Sequence, residues 1–140
     1  MTLDQYIEKY NGRYIDIDGF PKDNPYQCVD IARTYIKEVW NLAPYVLPRA
    51  DYAKNIYRKF TSNPFLKKID NTPLGIPNEG DLIFWNWRPP VTGIAGHVAI
   101  FVKGNVNGFI AFGQNYGKPN FCKYTNYDYR GVMGWISPVK

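Results

Sequence analysis

Apolar residues recur at helical spacing in three places in the first half of the chain. Leu3, Tyr6, Ile7 and Tyr10 form one stripe, closed by Asn11-Gly12, and predict a short amphipathic helix over 3–10. Cys28, Ile31, Ala32, Tyr35 and Val39 form a second stripe, a longer helix running to about Trp40. Asn24 suits its N-cap, because a side-chain oxygen there accepts from the open N–H groups of the first turn. Pro25 follows at the first helical position, where a missing N–H costs nothing. Tyr52, Ile56 and Phe60 mark a third helix within 50–60. Residues 14–19 are a brief alternating run that enters a loop through Pro21, and Pro44 and Pro48 make 42–49 a loop too.

After Ser62-Asn63-Pro64 the period changes to two. Strand-like runs are predicted at 65–69, 80–87, 97–102, 108–115, 121–124 and 131–136, with turn residues between them. Short connections favour an antiparallel meander. Helices first and strands afterwards make an α+β fold, with N-terminal helices packed on a C-terminal antiparallel β-sheet. No repeat, low-complexity tract or linker divides residues 1–140, so a single domain is expected.

Composition narrows the picture only a little. With 140 residues, 45% hydrophobic and 21% charged, the chain has the make-up of a globular domain with one buried core. The net charge of +5 is scattered, no Lys/Arg run exceeding Lys67-Lys68. It suggests attraction to a polyanion such as an anionic wall polymer, without a nucleic-acid motif. Two cysteines make no disulfide framework. The N-terminus lacks the basic and apolar regions of a signal peptide, and no apolar run is long enough to span a bilayer. The expectation is a soluble monomer made in a cytoplasm, with no membrane or nucleic-acid partner.

Candidate chemistry begins at Cys28. A thiol in the first turn of a helix feels the positive end of the helix dipole, which favours the thiolate. The ordinary role of a cysteine on an apolar helix face is core packing, so other residues must decide. His97 is the only histidine, too few for a zinc site. It opens an alternating strand and shares a face with Ala99 and Phe101. If this strand and the next pair symmetrically about Val106, His97 lies opposite Asn115, with Cβ atoms roughly 4.5–5.5 Å apart. An asparagine oxygen there would accept from the imidazole and fix its tautomer. Cys28, His97 and Asn115 then form a thiol-protease constellation. Gln27 and the N–H of Cys28 would be the oxyanion donors.

Four stretches carry a resemblance: Tyr26-Gln27-Cys28-Val29-Asp30, Gly80-Asp81-Leu82-Ile83-Phe84-Trp85, Gly96-His97-Val98-Ala99-Ile100-Phe101 and Gln114-Asn115-Tyr116. Together, over roughly residues 12–138, the chain resembles the CHAP domains, cysteine- and histidine-dependent amidohydrolase/peptidases of phage endolysins and bacterial wall hydrolases. The resemblance implies a papain-like half-barrel fold and cleavage of an amide bond in peptidoglycan. It puts the nucleophile at Cys28, the base at His97 and the orienting polar residue at Asn115. Such a lysin would reach the wall after holin-dependent release or from outside. Many phage relatives carry a glutamate two residues before that asparagine, and here the position is Gly113.

The resemblance also raises structural calcium, held by oxygen ligands from Asp16, Asp18 and Asp30; the chemistry itself needs no cofactor. Turn formation and the helix dipole are the alternative roles of these acids. Trp85, Trp87, Tyr116 and Trp135 are candidates for a substrate groove, with core packing the alternative. Two functional alternatives stay open: an N-acetylmuramoyl-L-alanine amidase instead of an endopeptidase, and a non-catalytic wall-binding module of the same fold.

Overall fold

The computed structural model describes residues 1–17, 27–87, 95–115 and 121–139. Helix α1 spans Leu3–Tyr10, as its stripe predicts, and its start is closed by a reciprocal capping box between Thr2 and Gln5. Helix α2 spans Cys28–Glu38 with Gln27 as N-cap. It therefore begins three residues later than the Asn-Pro signal suggests, and Asn24 and Pro25 lie outside the described residues. Asp30 explains the later start, because its carboxylate accepts the N–H of Gln27 at 2.9 Å and so caps the helix at that residue. Helix α3 is Ala53–Lys59, and the loop before it holds a single 3-10 turn, Pro44–Val46.

The strands are β1 (Leu66–Asp70), β2 (Leu82–Trp85), β3 (His97–Gly104), β4 (Phe109–Gly113), β5 (Lys123–Tyr127) and β6 (Val132–Pro138). Among the described residues all five pairings are antiparallel, in the order β1-β6-β2-β3-β4-β5. The α+β expectation holds. A simple meander holds only from β2 to β5, since β6 returns to lie between β1 and β2. Residues 14–17 form no strand.

Alternation sorts the sheet into two buried faces. Leu82, Phe84, Val98, Ile100, Phe112 and Ile136 pack with Tyr6, Ile31, Tyr35, Ile36 and Ile56 from the helices. The opposite face is a cluster of Ile83, Trp85, Ala99, Phe101, Phe109, Ala111, Tyr127, Val132 and Trp135. Burial of both faces is why β2 reads as a continuous apolar run in place of an alternating one. Trp85 and Trp135 are core residues here and line no groove, whereas Trp87 is 53% exposed; Tyr116 lies outside the described residues.

Candidate active site

The first turn of α2 is held from two sides. Asp30, 3% exposed, accepts the N–H of Gln27 on one oxygen and the N–H of Ile17 on the other, at 2.9 and 3.3 Å. Gln114 grips the same segment from the end of β4. Its Nε2 donates to the carbonyls of Gln27 and Ile15, both at 2.8 Å, while its Oε1 accepts from Ile15 N–H at 2.6 Å. Cys122 adds a thiol hydrogen bond to that oxygen at 3.4 Å. Gln114 is fully buried, so one amide fixes the position of the residue preceding Cys28.

Cys28 is the first helical residue, 8% exposed, and packs in the helix-side core. The backbone N–H of Val98 is directed at its sulfur, which places the thiol beside the second residue of β3. Burial pushes the thiol up to about 11; the Val98 N–H opposes this, the Asp30 charge adds to it, and the N–H groups of Cys28 and Val29 oppose it. The dipole argument from sequence is thus reversed in outcome: helix-start donors do favour the thiolate, but desolvation outweighs them. Cys28 at neutral pH is a thiol, and it needs a base to become a nucleophile.

His97 opens β3 directly after Gly96. That glycine has φ +71°, and a Cβ on it would lie 2.3 Å from the Trp85 carbonyl oxygen, so only glycine lets the chain turn into the strand here. The imidazole is 2% exposed. It packs against Trp85, ring centroids 5.2 Å apart, and its Nε2 lies 3.3 Å from the hydroxyl of Tyr127 on β5.

The predicted register of the β3–β4 hairpin is found at Ile100↔Phe112 and Phe101↔Ala111; a bulge shifts it nearer the turn. Strand β4 nevertheless ends at Gly113, and Asn115 takes a left-handed conformation, φ 63°. Its amide donates to Gln27 Oε1 at 3.2 Å. Of the residues singled out in the sequence, Asn115 and Gln27 are brought together, and Cys28 is brought to β3. The hydroxyl on His97 comes from Tyr127, which the pattern did not mark.

Asp16 is exposed, Asp30 has both oxygens engaged by backbone donors, and Asp18 lies outside the described residues. Among the described residues no group of three His, Cys, Asp or Glu side chains converges to hold a metal ion. No chemical step is assigned to a calcium ion. No helix among the described residues is long and apolar enough to cross a membrane.

Comparison with known proteins places this geometry. The family model for the CHAP domain matches residues 19–115. Among solved structures, the wild-type endolysin LysIME-EF1 superposes with a TM-score of 0.75 at 18% identity, covering 99% of this chain and 64% of that one. Ly7917 superposes with a TM-score of 0.59, also at 18% identity, covering 80% of this chain and 53% of its own. The chain therefore spans about half to two-thirds of the length of these structures. The fold they share is papain-like. No curated protein matches the sequence.

Proposed function

From the premise that this chain belongs to the CHAP domain family, we propose that it is a peptidoglycan hydrolase cutting an amide bond by a thiol mechanism. The observation that carries the reading is the setting of Cys28: first residue of α2, with its sulfur against the N–H of Val98, the neighbour of His97. The endolysin folds it resembles support the substrate class.

In this reading His97 acts through Nδ1, since Nε2 is held at Tyr127. Nδ1 takes the Cys28 proton as the sulfur attacks the carbonyl carbon of a wall peptide. A thiol raised to about 11 makes this general-base transfer the route to the nucleophile. The carbonyl oxygen, now an oxyanion, accepts from the Cys28 N–H and from Gln27 Nε2. Asn115 serves the second donor: by giving its own N–H to Gln27 Oε1, it holds that amide with Nε2 as the donating end. The imidazolium then protonates the leaving amine, and a water activated by His97 releases the acyl group from sulfur.

The test is turbidity loss of purified Gram-positive walls, with wild type beside Cys28→Ala and His97→Ala. Both variants should fold and lose at least about 1,000-fold in rate. Clearing by Cys28→Ala at the wild-type rate would remove the thiol mechanism. Chemical identification of the new amino ends separates endopeptidase from N-acetylmuramoyl-L-alanine amidase. A second reading, a non-catalytic wall-binding module, is favoured by the raised Cys28 thiol; it requires walls that retain the protein but release no new ends.

A further inference from the structure

The geometry points to Tyr127 as the positioning residue for His97, taking the place that a carboxylate at position 113 would hold; this rests on the hydrolase reading above. Two independent observations meet at one ring nitrogen. The Tyr127 hydroxyl lies 3.3 Å from His97 Nε2. A Cβ built on Gly113 would lie 3.6 Å from the same Nε2, so a side chain there would occupy the space the hydroxyl approaches. Gly113 leaves that space open, and a phenol from the neighbouring strand enters it.

The sheet is built for this reach. Tyr127 stands on β5 opposite Phe109 of β4, and His97 is on β3, so the phenol must cross β4 to touch it. Ala99, Ala111 and Gly113 keep the path low on that face. The ring is 5% exposed and packs in a triangle of aromatic rings with Trp85 and Phe109, centroids 4.6 and 5.5 Å away. A buried ring held by two aromatic neighbours delivers its hydroxyl to one place, which is what a positioning residue requires.

Proton bookkeeping fixes the direction of the bond. For Nδ1 to accept from Cys28, Nε2 must carry the ring proton, so Nε2–H donates to Tyr127 Oη. When Nδ1 gains the thiol proton, the imidazolium keeps the same Nε2–H donation, and the phenol stays neutral throughout. Tyr127 thus selects the tautomer with its lone pair on Nδ1.

His97 is the only histidine in the sequence, so its two ring nitrogens can be read by ¹⁵N NMR on tag-free protein without assignment. The wild type should show the Nε2–H tautomer, and Tyr127→Phe, which keeps the ring and removes the oxygen, should show a mixture. On walls, Tyr127→Phe should lower kcat about tenfold with KM unchanged, as expected when tautomer selection is impaired. Gly113→Glu in the Tyr127→Phe background should restore at least half of the lost rate, because a carboxylate then reaches Nε2; its Cβ needs Ala99 to yield slightly from a 3.0 Å approach. An Nδ1–H tautomer in the wild type, or a Tyr127→Phe enzyme with unchanged kcat and tautomer, would overturn the assignment. If the wild type cleaves no wall, the hydrolase reading falls, and the ¹⁵N spectra of the two proteins alone decide whether Tyr127 sets the imidazole.

Discussion

Gln114 makes more of the site than any charged residue around it. Four hydrogen bonds join the segment at Ile15, the carbonyl of Gln27 and the thiol of Cys122 through one fully buried amide. Replacing it by Leu would leave backbone groups of Ile15 and Gln27 buried without their partner. A loss of about 3 kcal/mol in urea unfolding is expected, since each orphaned buried group costs about 1–3 kcal/mol. The two thiols make a second residue-scale prediction. Burial raises Cys28 from 9.0 to about 11 and Cys122 from 9.0 to about 12. The unfolded chain therefore releases these protons first, and stability present below about pH 9 declines as pH rises toward about 11. Unfolding midpoints across that interval should fall for the wild type and fall less steeply for Cys122→Ala. At this scale Cys28 and His97 were legible because each announces itself within its own element, by a helical stripe or a strand alternation. Asn115 was legible as a position, but its contact with Gln27 and the left-handed φ after β4 were not, since neither has a periodic signal. Tyr127 was illegible because its contact with His97 spans 30 residues and depends on where β5 ends.

At the scale of elements, the strand carrying Tyr127 shows how such a residue is missed. The pattern placed a strand at 121–124, whereas β5 runs Lys123–Tyr127. Thr125 and Asn126 look like turn residues, but β5 is an edge strand of the sheet, where polar side chains are common. The loop after α2 was equally silent about what fixes it. Arg33, 4% exposed on α2, donates to the carbonyls of Pro44, Leu47 and Pro48 at 2.9, 3.3 and 3.1 Å, and its guanidinium lies 4.2 Å from the centre of the Tyr45 ring. Prolines marked that stretch as irregular; only the structure shows that a buried cation organises it. Arg33→Met should lower unfolding free energy by about 3 kcal/mol, with Arg33→Lys recovering only part, because an ammonium lacks the fork that reaches three carbonyls. Chemical denaturation of the three proteins measures this.

For the whole molecule, the division into helices and an antiparallel sheet was readable because the hydrophobic period changes once, near residue 64. Strand order was not, since nothing local in 131–136 says that β6 returns past β2. The scattered charge of +5 predicts that retention on anionic walls weakens as salt rises from 50 to 500 mM, roughly the range over which the Debye length falls severalfold; a pull-down at graded salt measures it. Adding calcium or chelator during thermal unfolding tests the acidic loop: no shift in midpoint is expected, given how Asp30 is engaged. The place of β6 has one further consequence. Among the described residues strand β1 pairs only with β6, and β2 has β6 as its second neighbour, so a chain growing from a ribosome holds both with open edges until residues 132–138 emerge. The link between Leu66 and Pro138 closes a very long loop, the kind of distant pairing that slows folding. Synthesis stalled before β6 should therefore yield a chain that chaperones hold and proteases cut, and releasing the last strand should turn it resistant in a single step.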